Sequence, residues 1–462
     1  MTKLDEVGAW IDEHLPALLA EHGVPAAGVA VLAGGDVVDA AAGLLSTATG
    51  VEATPDALFQ IGSITKVWTA TLVLQLVDEG LVALEDPVAE HLPGFALADG
   101  SAARTLTVRQ LLSHTAGFEG DVFTDTGRGD DALERYVATL GDVAQLFPPG
   151  ERFSYNNAGY CVLGRLVEVL RGTPFDQCLV DHLVTPLGLT HAAGSPYEAI
   201  VFRTAVGHVR PEPDAEQVPA PVWAMARSNA PAGSMLAMRP RDLLAFARLH
   251  LEAGTAADGT RVLAAGTVAA MQQRQVQLPD IRVMGDSWGL GWELFDTLGT
   301  PVVGHDGNTI GQASFLRVLP EHGVAVVLLT NGGDPYGLYQ DVVGHVLREL
   351  AGVQLRPMPV PPADPPAVDA GRYVGTYRSR VADLVVSQDD DGRIWLEMQP
   401  KDLALELGEQ PERSELVGFA DSTLIQVDAQ SGLHMPMAFL GDDGAGRAEF
   451  LHIGRAVPRV RT

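Results

Sequence analysis

Ser63 and Lys66 stand three residues apart at the head of a long apolar run, and their pairing is the first sign of chemistry in the chain. On a helix, residues three apart share a face, so the lysine amine can lie beside the serine hydroxyl. Val67, Trp68, Ala70, Leu72, Val73, Leu74, Leu76 and Val77 follow before Gly80 stops the run. A helix that is apolar all round is a buried one. Its lysine is then desolvated, which lowers the amine towards a usable base for activating a nucleophile. The start of such a helix also offers free N–H groups and a positive field where an oxyanion would form. Ser-x-x-Lys alone occurs by chance in many sequences. A lysine one turn into a buried helix needs a reason.

Two later clusters carry similar residue types. Phe153-Ser154-Tyr155-Asn156-Asn157 follows the turn Pro148-Pro149-Gly150, and His305-Asp306-Gly307 ends a β-branched run. Each has an ordinary structural reading, as turn chemistry or as a structural histidine beside a hairpin turn. In this order, however, Ser-x-x-Lys, Tyr-x-Asn and His-x-Gly resemble the penicillin-binding-protein and serine β-lactamase family. The His-x-Gly form, where β-lactamases usually have Lys-Thr-Gly, is closest in kind to the class C-like esterases, D-aminopeptidases and D,D-peptidases. LTVRQLLSHTAG (106–117), PLGLTHA (186–192), APAGSMLAMRPRDLLAFARL (230–249) and GLGWE (289–293) extend the resemblance over about residues 5 to 350.

The resemblance implies a serine acyl-enzyme mechanism. Ser63 is the nucleophile, Lys66 its base, and Tyr155 the group that moves a proton to and from the serine and the leaving group. Asn157 orients the substrate amide and the lysine, while His305 lines the site and supports Tyr155. The oxyanion hole is made by two backbone N–H groups, of Ser63 and Asn308. Thr65, Asn156 and Asp306 lie inside the motifs without a catalytic role, and His114 ties a loop to a helix. No cofactor and no metal are implied.

The elements that must position these residues follow from periodicity. Trp10, Ile11, Leu15, Leu18 and Leu19 form one side of an N-terminal surface helix. VPAAGVAVLAGGDVVDAAAGL (24–44) reads as a hairpin around Gly34-Gly35. Strand character returns at 289–295, 301–307 and 313–331, with a closing helix over 339–350. RPMPVPPADPPAV (356–368) then places six prolines in thirteen residues, a stiff linker. Beyond it, short alternating runs punctuated by Gly- and Asp-rich turns predict a small antiparallel barrel. The expected class is therefore α+β. A β-lactamase/transpeptidase-like domain (1–353), an antiparallel sheet with flanking helices plus a helical region, is joined by a linker (354–368) to a lipocalin-like β-barrel (369–462). Arg447 and Arg455, placed by this reading in the last strands, could clamp a substrate carboxylate with two prongs. As single surface arginines on an acidic protein they need do nothing of the kind.

With 462 residues the chain has material for two cores. Its 59 acidic against 31 basic side chains give a formal charge of −28, which disfavours nucleic acid and anionic membranes as partners. Cys161 and Cys178, the two cysteines, make neither a disulfide framework nor a zinc set. The first residues lack an export-leader pattern and no apolar run reaches spanning length, so the expected location is the cytoplasm. Among cytoplasmic relatives, three activities fit: carboxylesterase, D-amino-acid amidase or aminopeptidase, and the stand-alone thioesterase of nonribosomal peptide pathways. The last resembles this chain in size and in its lipocalin-like tail. It takes a peptidyl thioester ending in a D-residue from a carrier protein and cyclises it head to tail. A binding module that has lost catalysis need not keep Ser63, Lys66 and Tyr155 together.

Overall fold

The strand Ala26–Ala33 shows why the first domain has a core on each side of its sheet. Ala30 and Leu32 pack into one core, while Ala27, Val29 and Val31 pack into the other. This strand is the third from one edge of a nine-stranded antiparallel sheet in a computed structural model that describes residues 1–211, 215–401, 405, 410–430 and 432–461. From one edge the order is Val51–Glu52, Asp36–Ser46, Ala26–Ala33, Val324–Thr330, Gln312–Leu319, Val302–Thr309, Glu293–Phe295, Ser287–Trp288 and Val276–Gln277. Helices Lys3–Glu21 and Pro335–Ala351 cover one face, with Leu4, Val7, Ile11, Leu15 and Leu19 against Val342, Val346 and Leu347. The other face receives helix Thr65–Asp78, whose residues Thr65 to Leu76 are all buried, with Trp68 stacked on Phe246 at 4.2 Å.

Two expected elements differ in detail. The closing helix begins at Pro335, earlier than periodicity suggests, because Asp334 caps it through Tyr336 and Gly337 N–H while proline takes the first turn. The GLGW stretch expected as strand is a turn between short strands. Gly291 has φ +90°, and a Cβ there would press on the Ala70 side chain at 2.7 Å.

After the proline-rich segment, eight antiparallel strands run consecutively from Gly375–Arg378 to Ala456–Pro458. Val460 N–H donates to the Thr376 carbonyl (2.8 Å), bringing the last strand back to the first, so the sheet nearly closes into a barrel. Arg459 fastens this seam. Its guanidinium donates to the carbonyls of Ala448 (2.5 Å), Val374 (2.5 Å) and Arg372 (2.9 Å) and to the Tyr377 hydroxyl. The segment before the barrel is not free: Leu355 packs on the first domain, and a Cβ on Gly418 would strike the Pro366 carbonyl.

Charged hydrogen bonds each contribute about 1.5–3 kcal/mol, so Arg459→Ala removes the main fastening of the seam. The Val460 amide is expected to exchange hydrogen at least about tenfold faster in that variant, with amides of strand Val324–Thr330 unchanged. Unchanged exchange at the seam would show that the strands close without the arginine.

Candidate active site

Ser63 sits in a 3₁₀ turn, Gly62–Ile64, that leads into helix Thr65–Asp78. Gly62 has φ +50°, and a Cβ there would lie 2.7 Å from the Asn308 nitrogen. The turn and strand Val302–Thr309 can therefore approach closely, placing the Asn308 backbone next to the nucleophile. Lys66 Nζ lies 3.1 Å from Ser63 Oγ and donates to the Ala232 carbonyl at 2.6 Å. The lysine is wholly buried and has no carboxylate in ion-pairing range among the described residues. Burial first, then the positive charge of Arg455, pulls its amine down to about 7. Near neutrality a large share of Lys66 is thus an unprotonated base one hydrogen bond from Ser63.

Tyr155 comes from the segment before helix Asn157–Arg171. Its ring faces Lys66 Nζ at 4.8 Å and the Arg455 guanidinium at 4.8 Å. Burial holds the phenol well above its usual value, while the Ser63 hydroxyl and Arg455 pull the other way. His114 supports this segment as a tie: its Nδ1 accepts from Asn156 N–H at 2.9 Å, and its ring stacks on Tyr155 at 4.3 Å. Asn156 caps the following helix by accepting from Gly159 N–H.

Asn157 lines the same cleft. Its Nδ2 donates to Asp121 Oδ1 at 2.7 Å, because the carboxylate is the stronger acceptor within range. His305, 1% exposed, lies on strand Val302–Thr309 with Nδ1 2.6 Å from the Asp306 carbonyl. A carbonyl only accepts, so Nδ1 carries the proton and Nε2 is a bare acceptor. Burial, with Lys66 nearby, lowers the imidazole to about 3.

The two tail arginines part company. Arg455 lies in the turn between the last two barrel strands and reaches the cleft, with Nε 2.9 Å from Asp121 Oδ2. Arg447 does not. It sits in the turn before strand Phe450–His452, half exposed, and its own turn captures it through Asp443 at 2.7 Å. Neither lies in a strand as expected.

Other contributors were not foreseen. Asp121 joins Asn157 to Arg455, and its signal was only a carboxylate in the loop after the LLSHTAG stretch. Glu293, the last residue of GLGWE, is buried in the cleft wall 3.8 Å from His305. Burial and the nearby Asp306 carboxylate raise it, while Asp306 itself is gripped by Arg317 at 2.5 and 3.1 Å. Barrel residues Leu433, Met435 and Ile453 complete a cavity of about 320 Å³ around Ser63. Tyr155 N–H donates to the Gly454 carbonyl (2.9 Å) and Ala456 N–H to Ser154 Oγ (3.1 Å), so the barrel is bonded to the Tyr155 segment itself. Among the described residues no cluster of His, Cys, Asp or Glu is gathered as a metal site needs, and no helix is long and apolar enough to cross a membrane.

The family description "Beta-lactamase" matches residues 11–346. The chain belongs to the β-lactamase family. Over 367 residues it is 48% identical to penicillin-binding protein 4 of Amycolatopsis lactamdurans, a stretch covering 79% of this chain and 96% of that one. Among solved structures, SurE is 31% identical with a TM-score of 0.77, covering 99% of both chains, and SurE with D-Leu superposes at 0.74. D-amino acid amidase of Ochrobactrum anthropi SV3, complexed with L-phenylalanine amide, is 23% identical over 75% of this chain and 97% of its own, with a TM-score of 0.61, and shares the fold. This β-lactamase-family chain is accordingly an enzyme of the serine hydrolase or acyltransferase class.

The burial of His305 generates a spectroscopic expectation. Its imidazole should remain neutral from pH 5 to 9, with Nε2 unprotonated, in long-range proton–nitrogen spectra. An imidazolium pattern at pH 6 would contradict the burial argument.

Proposed function

We propose that this enzyme transfers a peptidyl chain from a thioester to Ser63 and then to the chain's own amine, releasing a macrocycle. In this reading Lys66 takes the Ser63 proton and Oγ attacks the thioester carbonyl. The Ser63 and Asn308 N–H groups receive the oxyanion. The carbon–sulfur bond breaks as Lys66 hands the serine proton through Tyr155 to the leaving thiolate. The peptide's amine then attacks the ester, its proton returns through Tyr155 to Ser63 Oγ, and the amide forms as the ester breaks. Asn157 and Arg455 line the path of the acyl chain, with a carboxylate or carbonyl of the substrate as Arg455's target.

The observation that carries this reading is the barrel's place on the cleft. Leu433, Met435 and Ile453 put apolar surface beside Ser63. Excluding water there favours a tethered amine, whose effective concentration is high, over hydrolysis. A neighbouring cavity of about 930 Å³ shares Phe123, Met225 and Asn229 with the site and has Arg380 and Val381 of the barrel on its wall. It offers room for the body of a peptide that must fold back on itself. The full-length likeness to SurE, whose structure with D-Leu is known, supports a D-residue at the acyl terminus. A peptidyl carrier protein as donor and a cytoplasmic setting accord with a thioester substrate. The alternative is a carboxylesterase or a D-peptide hydrolase, to which the same acyl-enzyme would lead if water were the acceptor.

Ser63→Ala should abolish turnover and labelling by a fluorophosphonate. Lys66→Ala and Tyr155→Phe should each lower kcat by roughly a hundredfold or more, the scale of lost general acid–base help. His305→Ala should cost less than Ser63→Ala does. Near-normal turnover of Lys66→Ala would assign the base elsewhere. Given linear peptidyl thioesters that differ only in a D- or L-residue at the C-terminus, the intact chain should cyclise the D form, as read by product mass. Linear acid alone, across several peptides, would favour the hydrolase.

A further inference from the structure

A site that activates serine through lysine and tyrosine works best where positive charge holds the lysine neutral and favours the tyrosinate. In this chain the sheet does not supply that charge. Position 305, on the strand lining the cleft, holds a buried imidazole with a bare Nε2. Among the described residues, two cationic side chains face the Tyr155 ring, and one of them is Lys66 itself. The other is Arg455, whose guanidinium carbon stands 4.8 Å from the ring centroid and whose turn is bonded through Gly454 to the Tyr155 backbone.

We propose that Arg455 is the fixed cation of the catalytic centre, supplied by the barrel to the Tyr155–Lys66 pair, so that the base is complete only when the barrel is docked. Arg455 acts through those two groups and is a positioning residue in this role, whatever it also does for substrate. The inference rests on the reading of Lys66 and Tyr155 given above.

The surroundings fit. Of the groups packed around the pair, His114 is driven neutral by burial, the Cys161 thiol is pushed up to about 12, and the Tyr160 phenol is held well above its usual value. Glu293 is raised by burial, and His305 is neutral. What remains is Arg455 with its partner Asp121, and behind them Glu119, whose carboxyl is raised by burial and by Asp121. On Lys66, Arg455 lowers and Asp121 raises the amine, with the arginine the larger influence. On Tyr155, too, the arginine lowers and the carboxylate raises the phenol. Asp121 does not cancel the arginine. It anchors it, at 2.9 Å, over the ring.

The test uses the full chain and p-nitrophenyl acetate, a donor with no peptide for Arg455 to grip. The acylation burst is followed from pH 5.5 to 9.5. In Arg455→Gln the acid limb should move up by about one pH unit, the order of shift that removing one neighbouring charge produces. Acylation at pH 6 should then fall about tenfold. Arg455→Lys should keep most of the wild-type profile. Asp121→Asn combined with Arg455→Gln should still titrate above wild type. A limb that returns to the wild-type value in the double variant would mean that a stranded Asp121, not the missing cation, caused the shift. An Arg455→Gln profile that superimposes on wild type, or that drops in height without moving, would overturn the proposal, since a substrate-binding or structural role lowers rate without shifting the midpoint. Full acylation by Lys66→Ala would instead remove the underlying reading of the base, which separates the two failures.

Discussion

Taking the Lys66 ammonium out of water with no carboxylate beside it would cost several kcal/mol, and much of the site exists to make the neutral amine the favoured form there. The helix that carries it is buried through Leu76 and gives the amine no route to solvent. Its polar contacts are the Ser63 hydroxyl and the Ala232 carbonyl, neither of which carries charge. That carbonyl arrives because the 227–232 turn ends at Gly233, in the left-handed region at φ +113°, where a Cβ would strike the Gly62 carbonyl. Gly62 in turn admits the backbone of Asn308. Two glycines therefore let three distant segments converge on one serine. A side chain at either would push apart the base, the nucleophile and the expected oxyanion donors together.

The second dependence is between domains. Tyr155 is placed by its neighbours' backbone: His114 accepts from Asn156, Gly454 accepts from Tyr155, and Ser154 accepts from Ala456. His452 Nε2, also from the barrel, lies 3.2 Å from the Phe153 carbonyl. Hydrogen bonds of this kind fix register as well as proximity, which the contact of Phe147 with Phe450 alone would not. The position of the barrel and the position of the Tyr155 hydroxyl are then nearly one degree of freedom. A chain lacking the barrel would lose a wall of the cleft and, with it, part of what holds the tyrosine.

How much of this could be read from the sequence depended on distance along the chain. Ser63 and Lys66 are three apart, and helical geometry alone brings them together. The class and the barrel were legible because alternation, turns and the proline-rich break are local signals. Arg455 and Arg447 were indistinguishable by the same token: each is an arginine near the end of an acidic chain. What separates them is Asp121, 334 residues from Arg455, against Asp443, four residues from Arg447. Asn157 was legible as a cleft residue, but the bond from its Nδ2 to the same Asp121 was not. Glu293 closes the GLGWE stretch, which entered only as a marker of resemblance, and burial, which sequence alone does not rank, is what makes it unusual.

These long-range pairs also link two demands that an acyl transferase must meet. Transfer to an amine requires a dry cleft, and activation of Ser63 requires a neutral base. Leu433, Met435 and Ile453 put apolar surface on the barrel side of the cleft. Removing water lowers the local dielectric, and a guanidinium 4.8 Å from the Tyr155 ring then acts more strongly on it and on the lysine beyond. Ile453 and Arg455 come from the hairpin that joins Phe450–His452 to Ala456–Pro458, and Leu433 and Met435 from the connection before strand Pro436–Leu440. Docking the barrel brings apolar wall and charge to the acyl-enzyme in a single step, so a variant that loosens the hairpin should lose selectivity for the amine and activation of the serine together.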